Sequence, residues 1–127
     1  MTHPLIDRLT TEFGYPVLHN ENDLTEYTSR DGVHCVFLSG DPVRNLETPD
    51  VAVILPELKM TFQGAFDCAV ADETFEDKAK ELAGVFKTPA LVFYRKGTVL
   101  GSIPKVRDWD DYMNRIPQIL ALMPEGA

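Results

Sequence analysis

The chain has 127 residues, 20 of them acidic and 12 basic, for a formal net charge of −8, and 44% of it is hydrophobic. This length predicts one domain spanning residues 1–127, and the near-average composition argues against a disordered chain. The acidity argues against a nucleic-acid backbone or an anionic membrane as main partner, since both call for clustered Lys and Arg. No apolar run exceeds five residues, whereas a membrane span needs about 18, so no membrane insertion is expected. The N-terminus has no basic segment leading into a long apolar one, so the expected location is the cytoplasm.

In chain order, Leu5, Ile6, Leu9 and Phe13 share one helical face, closed by Gly14. Tyr15–Leu18 reads as a short strand. Asn22 or Asp23 is the expected cap of a second helix carrying Leu24 and Tyr27. Val33–Leu38 reads as a strand buried on both faces, followed by a loop over Gly40–Thr48. Thr48-Pro49 has the pattern of a helix start, with Thr as cap and Pro in the first turn. Val51, Ile54, Leu55, Leu58 and Phe62 continue at helical spacing around an internal Pro56. Ala65–Ala71 is a further strand. Asp72 is the expected cap of a helix with Phe75, Ala79, Leu82 and Ala83 on its apolar face. Ala90–Tyr94, the Arg95-Lys96-Gly97 turn and Thr98–Ile103 form a hairpin. A last helix starts at Asp108, carries Trp109, Tyr112, Ile116 and Leu120, meets Pro117, and is expected to pack Trp109 on the sheet. Helical crossovers make the first three strands parallel, and the hairpin adds an antiparallel edge. The expected fold class is therefore α/β, a mixed sheet of about five strands with helices on both faces.

Few residues suggest chemistry. Cys35 and Cys68 lie 33 positions apart in two predicted strands, which is neither a disulfide framework nor a zinc set. Buried thiols in apolar surroundings are poor nucleophiles. His3, His19 and His34 lack the spacing of a helical metal site, and no phosphate loop or nucleophile motif is present. No metal and no cofactor are expected. The acids Asp72, Glu73, Glu76 and Asp77 read as a solvated group offsetting a helix dipole.

The strand Val33–Leu38 leading into the Gly40–Thr48 loop, the helix with internal Pro56, Thr88-Pro89 before the hairpin, and Phe93-Tyr94-Arg95-Lys96-Gly97-Thr98-Val99 together resemble the thioredoxin fold. The resemblance covers roughly residues 15 to 122 and implies a cis peptide bond at Pro89. One departure is decisive. The Cys-x-x-Cys of that family is replaced by Pro42-Val43-Arg44-Asn45-Leu46-Glu47-Thr48-Pro49, with no sulfur. The family's buried acid is also absent from Cys35-Val36-Phe37-Leu38. An acidic thioredoxin-like chain without the cysteine pair is similar to hydrogenase accessory proteins of the HyaE/HupG type. Pro-Leu-Ile-Asp-Arg-Leu and Gly-Val-Phe-Lys-Thr-Pro-Ala-Leu-Val-Phe-Tyr-Arg carry the finer likeness.

That resemblance implies a non-enzymatic assembly chaperone for an uptake nickel–iron hydrogenase. Its expected partner is the small-subunit precursor, held by its twin-arginine signal peptide until maturation is complete. The expected partner-binding residues are Asp41, Glu47, Asp50, Thr88 and Pro89, with Thr88, the residue before the cis proline, offering backbone groups to an extended peptide. Two alternatives stand beside it. One is a thiol-dependent oxidoreductase or peroxidase using Cys35 or Cys68; the other is a structural module of a larger complex. Homo-oligomerisation is left open.

Overall fold

The computed structural model describes residues 3–122. Helix α1 (Pro4–Thr11) is capped by His3, whose Nδ1 accepts the Leu5 N–H at 3.1 Å, and Ile6 and Leu9 form its buried face. Strand β1 is only Val17–Leu18. It is shorter than expected because the Tyr15 N–H turns back to the Leu9 carbonyl at 3.0 Å and Pro16 has no N–H to give.

Helix α2 (Glu21–Thr28) starts earlier than predicted. Its cap is Asn20, whose Oδ1 accepts the Asp23 N–H at 2.8 Å, while Asp23 accepts the His19 N–H at 3.0 Å. This reciprocal arrangement satisfies two backbone donors at once. Strand β2 (Val33–Leu38) is buried at all six positions. Helix α3 (Thr48–Thr61) runs through Pro56. Thr48 is not its cap: Glu47 holds that position, and the Thr48 hydroxyl donates to the Ser39 carbonyl at 2.6 Å.

Strand β3 is Phe66–Ala71 and helix α4 is Glu76–Ala83, closed by Gly84 at φ +70°. Asp72 does not cap α4. Its carboxylate accepts the N–H and hydroxyl of Thr74 in a separate turn, which moves the helix start to Phe75. Strands β4 (Ala90–Arg95) and β5 (Thr98–Pro104) form the predicted hairpin, with Lys96 and Gly97 both at positive φ, as a two-residue turn requires. Helix α5 (Trp109–Leu120) continues through Pro117 and buries Tyr112, Ile116 and Ile119. Trp109 does not pack as expected and is 41% exposed.

The sheet order is β1-β3-β2-β4-β5. β1, β3 and β2 are parallel, β4 is antiparallel to β2, and β5 is antiparallel to β4. One core layer joins α1, α3 and α5 to the sheet around Phe37, Leu55, Phe93 and Tyr112. The other joins α2 and α4 around Tyr27, Val36, Phe75 and Val92. The parallel strands all end at one side of the sheet, at Leu18, Leu38 and Ala71. The antiparallel β4 begins at that same side, directly after Pro89, so four connecting segments meet there.

Candidate partner-binding groove

A groove of about 1080 Å³ opens at this end of the sheet, where open α/β folds place their ligand crevices. Its walls are the N-terminal end of α1, the 39–45 loop, the 72–77 segment and Thr88. Among the described residues lining it, Asp7, Asp41, Asp72, Glu73, Glu76 and Asp77 face two basic side chains, Arg44 and Lys80. The net field in the groove is negative, and a low-dielectric wall focuses it.

Glu76 is the buried member of the set, only 8% exposed. Its Oε1 accepts the Ser39 hydroxyl at 3.0 Å and the Gly40 N–H at 2.8 Å. Burial pushes its carboxyl above the ordinary carboxylate range, against the opposing pull of those two donors. The strand stretch Cys35-Val36-Phe37-Leu38 carries no acid, as read from the sequence, and the buried acid at this end of the sheet comes from α4 instead. Glu76 lies three positions before Ala79 and seven before Ala83, on the helix's inward stripe. That periodicity was the available signal, obscured because an acid in a first turn has a ready explanation in the helix dipole.

The loop is ordered by Asp41. The Asp41 carboxylate accepts the Val43 N–H at 2.9 Å, and its carbonyl accepts the Arg44 and Asn45 N–H groups at 3.1 and 2.8 Å. Gly40, at φ +71°, packs against Thr88 so closely that a Cβ there would lie 2.8 Å from Thr88 Cβ and 2.7 Å from Asn45 Nδ2. The Thr88-Pro89 peptide bond is cis. Among the described residues, no hydrogen bond uses the Thr88 backbone N–H or C=O.

The residues singled out from sequence divide. Asp41 and Thr88 line the groove together. Pro89 is buried beside Thr88, and its carbonyl accepts the Lys105 N–H at 2.6 Å. Glu47 points elsewhere: it accepts the Val106 N–H at 2.9 Å and pairs with Lys105 Nζ at 3.3 Å. The Val106 N–H, with Lys105 adding to it, holds the Glu47 carboxyl below its ordinary range. Asp50 is exposed in the first turn of α3 and does not line the groove.

Among the described residues, no sulfur lines the groove. Cys35 and Cys68 are register partners on β2 and β3, both free thiols and both fully buried in the sheet. Burial, and then the neighbouring Cys68, push the Cys35 thiol well up, the opposite of what a nucleophilic thiol needs. Among the described residues no group of three His, Cys, Asp or Glu could hold a metal ion, and no helix is long and apolar enough to cross a membrane.

Over residues 5–112 the chain matches the family described as Hydrogenase-1 expression protein HyaE. The chain belongs to this family. HyaE-family relatives include the hydrogenase expression/formation protein HupG of Rhodobacter capsulatus, 58% identical over 120 residues, which span 94% of this chain and 87% of that one. HoxO of Azotobacter vinelandii is 40% identical over 121 residues, covering 95% and 80%. Among solved structures, hydrogenase expression/formation protein hupG of Rhodopseudomonas palustris aligns with TM-score 0.59 at 30% identity, covering 84% of this chain and 95% of that one. Thioredoxin of Plasmodium falciparum aligns with TM-score 0.66 at 11% identity, covering 84% and 99%. That last likeness concerns the fold alone, and it is the fold expected from the sequence.

Proposed function

We propose that this HyaE-family protein is a non-enzymatic assembly chaperone for an uptake nickel–iron hydrogenase. It acts in the cytoplasm as one thioredoxin-like domain and holds the twin-arginine signal peptide of the small-subunit precursor until maturation is complete. The carrying observation is the acidic groove at the carboxyl ends of the parallel strands, with an unpaired Thr88 backbone at its wall. An extended segment pairs with Thr88 as an added strand, which supplies affinity without sequence preference. Its two guanidinium groups meet the carboxylates around Asp41 and Asp77, and Arg–carboxylate pairing can be bidentate where a Lys contact cannot. The buried, displaced cysteines support a binding role over thiol exchange.

Titration calorimetry with a twin-Arg signal peptide and its Lys-Lys counterpart tests this reading. Expected is tighter binding of the Arg-Arg peptide, weakening as salt rises. Equal weak binding of both peptides, or none, overturns it.

A further inference from the structure

The three most exposed large apolar side chains among the described residues are Phe86 at 90%, Val43 at 84% and Leu46 at 82%. Scattered exposed apolar residues are ordinary, but one of these three, Val43, lines the groove, and the other two lie within three residues in sequence of groove-lining residues. Val43 and Leu46 stand on the loop that packs through Gly40 onto Thr88, and Phe86 precedes Thr88 by two residues. Val43 also lines the acidic groove. The loop is not a loose coil: the Asp41 turn fixes it with three hydrogen bonds to the backbones of Val43, Arg44 and Asn45. A braced turn that displays apolar side chains is preorganised for contact, because little ordering entropy is left to lose.

We infer that Val43, Leu46 and Phe86 form an apolar lip that seats the apolar stretch following the basic residues of a bound signal segment, while the groove takes the basic part. This rests on the function proposed above. Signal segments carry a positive region and then an apolar one, and the chain presents an acidic groove beside an apolar lip. Charge selects this occupant over a second copy. An isologous pairing through the lip would press two acidic grooves of a −8 chain toward each other.

The test uses the full chain and two labelled peptides in fluorescence anisotropy. Both peptides carry the Arg-Arg pair; one continues with a Leu/Ala stretch and the other with Ser/Gly. Expected is a preference of roughly tenfold or more for the apolar peptide. The variant V43S/L46S/F86S is expected to lose that preference and bind both peptides as the wild type binds the polar one. F86S alone provides a milder variant in which a partial loss is expected. A preference retained by both variants overturns the lip, as does wild-type binding that is equal for the two peptides; the groove reading survives either result. Binding of neither peptide overturns both. A wild-type dimer that these substitutions convert to monomer in sedimentation, with peptide preference unchanged, also overturns the lip in favour of a self-interface.

Discussion

The Glu76 carboxylate accepts the Gly40 N–H at 2.8 Å across 36 positions of sequence, joining α4 to the loop that follows β2. A neutral side chain of the same shape serves this bond equally well. Burial raises the Glu76 pKa above its ordinary value of 4.5, so over the window just above that value the folded chain binds the extra proton. The stability from this group is fully present below the ordinary value and falls as pH rises through the raised folded value. Glu76→Gln should therefore be at least as stable as wild type at neutral pH, with the difference shrinking toward about pH 4. Urea unfolding across that range measures it. Glu76→Ala should instead lose about 1–3 kcal/mol, because Ser39 and Gly40 lose their acceptor.

Gly40 and Gly14 both sit at φ +71°, yet a Cβ at Gly14 would meet nothing within 4 Å. Gly14→Ala should cost about 1 kcal/mol, the conformational part alone. Gly40→Ala should cost more, about 1–3 kcal/mol, because Thr88 and Asn45 must also move. Denaturation midpoints give the two costs. The Thr88 and Asn45 amide resonances should shift in the Gly40 variant only.

Cys35 and Cys68 should not react with an aromatic disulfide reagent in the folded chain, and both should react once it is unfolded. Cys35→Ser should lower stability by about 1–3 kcal/mol through a buried hydroxyl and leave signal-peptide affinity unchanged. Turnover in a dithiol-dependent reduction assay, lost in that variant, would restore the oxidoreductase alternative.

Glu47 behaves oppositely to Glu76 with pH. Its carboxyl is held below the ordinary 4.5 by the Val106 N–H and by Lys105, so its contribution is present above that value and lost as pH falls through the lowered one. The group is largely solvated, and Glu47→Ala should cost under about 1 kcal/mol at neutral pH. The gap from wild type should narrow in acid, as read by thermal unfolding at several pH values.

Apolar runs and helical spacings made the sheet, its parallel part and its antiparallel edge legible, because burial on two faces makes Val33–Leu38 apolar at every position but His34. Caps were less legible. Asn20, Asn22 and Asp23 are chemically similar, and only tertiary geometry decides which oxygen meets a free N–H. Thr48 illustrates the same limit, its hydroxyl captured by the Ser39 carbonyl instead of its own helix. At the groove, Asp41 and Thr88 follow from their places beside β2 and β4, whereas Glu47 and Asp50 share the neighbourhood in sequence but not in space. The inward place of Glu76 was written in its spacing to Ala79 and Ala83, whereas the outward turn of Trp109 depends on a rotation of the helix that composition does not encode.

The contact between Gly40 and Thr88 has a consequence for how this scaffold can vary. On one side the contact is the bare main chain of Gly40, and on the other it is the side chains of Thr88 and Asn45, so no Cβ fits at Gly40 unless they move. Val43 and Leu46, a few residues further along the loop, hold their side chains out to solvent and are not among the atoms that meet Gly40. The apolar character beside the opening can thus be changed at those positions without disturbing the packing of Gly40 on Thr88.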